Sequence, residues 1–207
     1  MGTPTASFYF DLQSPLAYLA AEQVLHALPG PAEWQPVLAA ELATEQAGDG
    51  QLGAGQPYEA FRCEQELDAF REDVARRARE LGLQPVRWPE PFPFDSALAM
   101  RAATYAKSIG RTVPFAQAAF RQAFAGGRDL GQLDNVLIAA AACEMHPAAV
   151  SKGTELGSVT TTLRERTREA RELGVSELPA IVVDGEVFAG ARAIEEAAEH
   201  MALGATR

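Results

Sequence analysis

The sequence predicts an α/β fold, in which a four-stranded mixed sheet carries helices on both faces and an all-helical insertion. Three observations predict it. The run "ASFYFDL" at 6–12 is strand-like and breaks at Gln13-Ser14-Pro15 into a helix-forming stretch. Near the other end, "LPAIVVDGEVFAG" holds two β-rich runs joined by Asp184-Gly185, a pair that tolerates the positive φ of a tight hairpin turn. Between them, from about residue 58 to about 173, apolar residues recur at helical spacing.

Each element follows in order. Phe8, Tyr9 and Phe10 run together, which suits a strand covered on both faces. Ser14 stands where a helix N-cap belongs and Pro15 at the first helical position, so a helix is expected through "LAYLAAEQVLHAL" up to Pro29-Gly30. A second strand is expected over 33–39, with Pro36 pointing to an edge position. The Gly-rich "TEQAGDGQLGAGQP" reads as a loop, and Leu67, Phe70, Val74, Ala78 and Leu81 stripe the helix after it. Proline-dense "WPEPFPFD" connects to a further helix that Asp95 or Ser96 can cap. A helix near 158–173 closes at Gly174, the hairpin follows, and Ile194, Ala197, Ala198 and Met201 mark a last amphipathic helix.

The β-α-β start and the α-β-β-α end are each too small to cover a sheet alone. Together they give a thioredoxin-like domain over 1–43 and 156–207, with 44–155 as the inserted helical subdomain.

Composition narrows the function. The 28 acidic residues against 18 basic ones give a net charge of -10, a field that repels phosphate backbones and argues against nucleic acid. In the densest basic patch, "ARRARELG", the arginines alternate with nearby acids as on a solvated helix face. No apolar run has the length of a membrane span, and the first residues show no basic-then-apolar export pattern, so a cytoplasmic location is expected. Cys63 and Cys143 belong to no Cys-x-x-Cys or zinc pattern and are expected to be spectator thiols. His26, His146 and His200 are scattered, "LQSPL" lacks a hydrolase elbow, and Glu41, Glu45 and Asp49 read as solvated rather than metal-binding.

Four segments carry a resemblance. "FYFDLQSPLAYLA", "PFPFDSALAMRA", "FRQAFAGGRDLGQLDNVLIAAAA" and "GVSELPAIVVDGEVFAG" are similar, in order, to the 2-hydroxychromene-2-carboxylate isomerases and kappa-class glutathione transferases, of the DsbA-like branch of the thioredoxin superfamily. The resemblance implies glutathione or another low-molecular-weight thiol as cofactor and a small, aromatic electrophile as substrate. It implies that Ser14 is the catalytic residue, its hydroxyl holding the cofactor sulfur as thiolate. It also implies a cis bond at Leu178-Pro179 and cofactor contacts at Leu178, Pro179, Asp95, Ala191 and Arg192. Members of that group are often dimers, so a homodimer is expected.

The physics of Ser14 stands beside the family pattern. A free thiol with pKa near ~8.5 is mostly protonated at neutral pH, and a hydroxyl donor favours its anion. On the dipeptide alone Ser14 is simply a cap. Three departures from the family pattern weaken capture of ordinary glutathione: Arg192 stands where an aspartate would receive the γ-glutamyl amine, Asp95 stands where asparagine is common, and the lysine often found after the second strand has no counterpart in "AELATEQAGDGQLGAGQP". Arg192 either reads a carboxylate or neutralises a surface helix. Dithiol catalysis is not expected, because positions 14–17 read Ser-Pro-Leu-Ala. The alternative to an enzyme is a non-catalytic thiol- or peptide-binding protein on the same scaffold.

Overall fold

The computed structural model describes residues 6–42 and 64–204. The expected loop after residue 43, with Glu45, Asp49 and Cys63, lies outside the described residues. In chain order the elements are β1 (Ala6–Phe10), α1 (Pro15–Ala21), α2 (Val24–Ala27), β2 (Ala32–Pro36) and α3 (Ala39–Leu42). Then come α4 (Glu64–Glu80), α5 (Ala97–Ser108), α6 (Thr112–Phe124), α7 (Leu133–Ala142), α8 (Pro147–Glu155) and α9 (Gly157–Glu172). The chain closes with β3 (Ala180–Val183), β4 (Glu186–Ala189), a 3-10 turn (Gly190–Arg192) and α10 (Ala193–Gly204).

The sheet has the order β2-β1-β3-β4. Strand β2 runs parallel to β1, whereas β3 is antiparallel to both β1 and β4, which makes the sheet mixed and thioredoxin-like. Asp184 and Gly185 turn the hairpin with φ of 51° and 87°, the conformation their sequence favours. Side chains alternate across the sheet. Phe8, Phe10, Ile181 and Val183 enter a large core with residues of α1, α4, α5, α6, α7, α8 and α10. Tyr9, Ala180 and Val182 face the other way, onto Ala39, Leu42 and Ala170 from α3 and α9. Aromatic rings bind α6 to the sheet and to α1: Phe10 meets Phe120 at 5.8 Å, and Tyr18 stacks on Phe124 at 5.6 Å.

Three boundaries differ from the sequence expectation. The first helix is two pieces, because the Gln23 N–H turns to the Ala20 carbonyl, three residues back, and the α ladder stops. Strand β1 ends at Phe10 rather than 12, where the Asp11 carbonyl accepts from the Ser14 N–H in a turn. Strand β2 ends at Pro36 rather than 39. Beyond it the Leu38 N–H donates to Thr167 Oγ1 and the Ala39 N–H to Asp11 Oδ2, so these groups have no need of a ladder partner. Pro36 stands at the end of edge strand β2, as its missing donor suggests.

Candidate functional site

The candidate site forms at the end of the sheet where three chain segments meet. The β1–β3 ladder ends with Tyr9 opposite Ala180, so the chain leaving β1 toward Ser14 and the chain entering β3 from Pro179 emerge side by side. The Leu178-Pro179 bond is cis. Ala189 of β4 pairs with Ala180, and the Gly190 N–H then donates to the Pro179 carbonyl at 2.8 Å, which brings the turn at 190–192 to the same place.

Ser14 has extended backbone (φ -86°, ψ 114°) and is the N-cap of α1. Its Oγ accepts from the Ala17 N–H at 3.1 Å. A hydroxyl carries one donor besides its lone pairs, and capping uses a lone pair only. The Ser14 O–H therefore remains available to donate. Two residues on, the Leu16 N–H belongs to the first helical turn and has no partner among the described residues.

The turn is fixed from below by Asp11, a fully buried residue that sequence reasoning missed. Its carboxylate accepts from the Gln13 N–H at 3.0 Å, the Ala39 N–H at 2.9 Å and the Ser96 hydroxyl at 3.0 Å. One side chain thus joins the serine turn, the start of α3 and the N-cap of α5. Burial pushes the Asp11 carboxyl above its ordinary range, and these hydrogen bonds hold it back.

A cleft of about 160 Å³ opens beside this junction. Leu16, Leu19 and Ala20 of α1, Leu81 after α4, Pro179 and Ile194 give it an apolar lining, and Gly190 and Ala191 bring backbone to its edge. Arg77, Glu80 and Glu195 are its charged members. Arg77 pairs with Asp73 at 2.7 Å and reaches the Ala191 carbonyl at 3.5 Å. Glu80 pairs with Arg76 at 2.6 Å.

The predicted site residues divide. Pro179 and Ala191 line the cleft, whereas Ser14, only 5% exposed, sits at the base of the helix whose next residues line it. Leu178 is buried in the core on the α9 side of the sheet. Asp95 is exposed, its Oδ1 accepts from the Ala97 N–H at the start of α5, and it does not line the cleft. The neighbouring Ser96 hydroxyl goes to Asp11 instead of the helix end. Arg192 is exposed and turns to Glu195 at 3.4 Å and Glu196 at 3.7 Å. Cys143 lies at the end of α7, in a separate groove sharing no lining residue with the cleft, and burial pushes its thiol up. Among the described residues no helix is long and apolar enough to cross a membrane.

With this geometry in view, comparison with known families is decisive. A model of the DSBA-like thioredoxin domain matches residues 5–202. The chain belongs to the DsbA-like thioredoxin family. Comparison with curated proteins finds no match. Among solved structures the chain is similar to 2-hydroxychromene-2-carboxylate isomerase, with 18% identity over 98% of this chain and 95% of that one and a TM-score of 0.80. It is similar to a "probable DsbA oxidoreductase" from Streptomyces coelicolor, with 18% identity over 99% and 91% and a TM-score of 0.77. It also resembles the cytosolic disulfide reductase DsbM from Pseudomonas aeruginosa in its structure with GSH, with 15% identity over 98% of each chain and a TM-score of 0.61.

Proposed function

We propose that this DsbA-like protein is a cytoplasmic, thiol-dependent isomerase or transferase acting on a small, aromatic electrophile. The observation that carries the reading is the pair of unused donors at the start of α1, the Ser14 hydroxyl and the Leu16 N–H, with Leu16 on the wall of a cleft that Pro179 also lines. Two donors without acceptors fit a bound thiolate, whose negative charge they would share. A thiol bound there would supply a nucleophile that adds reversibly to a conjugated carbonyl and frees the intervening bond to rotate.

The chain's own contribution is orientation and charge. Asp11 fixes the turn, Ser14 and Leu16 supply the donors at the start of α1, and Leu19, Ala20 and Ile194 give the cleft beside them an apolar wall. The isomerase among the structural relatives supports this reading over disulfide exchange, and the structure of the disulfide reductase DsbM with GSH supports a small-thiol ligand on this scaffold. So does the absence of sulfur at positions 14–17.

The alternative, a non-catalytic thiol- or peptide-binding protein, draws on one observation, the 5% exposure of Ser14. Thermal-shift titrations with glutathione, smaller thiols and aromatic carboxylates separate the two when run on wild type and Ser14→Ala. A thiol that stabilises wild type and loses its effect in the variant supports the proposal. Equal stabilisation of both proteins supports simple binding.

A further inference from the structure

We propose that Glu177 is a recognition carboxylate for the ammonium group of a cationic thiol, an inference that rests on the thiol-dependent reading above and narrows its ligand. Glu177 lies two residues before Pro179 and is half-buried. Its carboxylate has no hydrogen bond or ion pair among the described residues. It lies against Gly190: a Cβ at that glycine would stand 2.9 Å from Oε1 and 3.4 Å from Oε2. Gly190 also has φ of +79°, so the position both tolerates and requires the missing side chain, and the carboxylate occupies the space it leaves. Pro179 and Gly190, the residues that flank Glu177 in sequence and in space, both line the cleft.

Among the described residues, the charged side chains that line the cleft are already paired within the protein. Glu80 is held by Arg76 and Glu195 by Arg192, while the one lining cation, Arg77, is held by Asp73. Glu177, not itself a lining residue but set against the lining Gly190, is the carboxylate left without a partner among the described residues. A partly desolvated carboxylate without a partner is costly, and burial accordingly pushes its pKa up. An ammonium beside it removes that cost, whereas a ligand carboxylate meets no unpaired cation among the described lining residues and adds repulsion. The cleft therefore selects a thiol that carries an amine and no acid, unlike glutathione.

Three thiols with the same two-methylene spacer isolate the charge: cysteamine, mercaptoethanol and 3-mercaptopropionate end in an ammonium, a hydroxyl and a carboxylate. Isothermal calorimetry on wild type should give cysteamine roughly tenfold higher affinity than mercaptoethanol, with mercaptopropionate weakest. Glu177→Gln, with its folding checked by circular dichroism and urea unfolding, should bind cysteamine and mercaptoethanol alike and keep the wild-type affinity for mercaptoethanol. Should Glu177→Gln unfold, raising the salt concentration on wild type reads the same interaction, and the cysteamine preference should shrink. Equal binding of cysteamine and mercaptoethanol by wild type, or a preference that survives in Glu177→Gln, overturns the assignment while leaving thiol binding intact. No binding of any of the three overturns both.

Discussion

At position 11 a carboxylate sits in the interior and takes three hydrogen bonds, which makes it the residue on which the serine turn depends. Replacing it by alanine leaves those donors without acceptors, and Asp11→Ala should lose about 3 kcal/mol or more in urea unfolding. Its pH dependence has a definite sign. Because burial raises the carboxyl, the folded chain keeps this proton to higher pH than the unfolded chain. Its contribution to stability is complete below the ordinary carboxylate pKa and is lost as pH rises through the raised value. Stability measured across acidic pH should decline through that window in wild type, and the decline should be missing in Asp11→Asn. The signal for Asp11 was present in "ASFYFDL": an acid inside a strand covered on both faces has to be buried and paired. The sequence could not name Ala39 and Ser96 as its partners, since those contacts span 28 and 85 positions. Arg192 is the opposite case. Its partners Glu195 and Glu196 stand three and four residues ahead, a spacing at which helical ion pairs form, so its outward turn was legible locally.

At the scale of elements, local chemistry made most of the fold readable. Ser14-Pro15 starts α1, Asp184-Gly185 turns the hairpin, and Gly174 follows α9 with φ of +94°. What the sequence hid was where a strand or helix stops for a tertiary reason, as when Thr167 and Asp11 take the backbone donors beyond β2. Helix packing was hidden too. Helices α5 and α8 cross where Gly153 meets Tyr105, and a Cβ at Gly153 would lie 2.5 Å from Tyr105 Cγ. Gly153→Ala must push that ring or separate the helices, although alanine is the better helix former. It should cost about 1–3 kcal/mol by chemical denaturation. Stability equal to wild type would mean that the ring moves without penalty.

For the whole molecule, the strands and helices α4–α8 share one core among the described residues. Thermal or urea unfolding followed by far-ultraviolet circular dichroism and by tryptophan fluorescence should therefore show coincident transitions; two separated transitions would argue for independent units. The family scaffold is retained with serine at position 14, and pure protein should not turn over insulin disulfides. The central claim is that the Ser14 hydroxyl stabilises a guest thiolate at the cis-Pro179 cleft. It is tested most directly by titrating the ultraviolet absorbance of the thiolate for cysteamine and glutathione bound to wild type, Ser14→Ala and Ser14→Thr. The account predicts a bound-thiol pKa at least roughly one unit below the free value near ~8.5 in wild type and Ser14→Thr, returning toward it in Ser14→Ala. A bound-thiol pKa that is the same in all three proteins would contradict it.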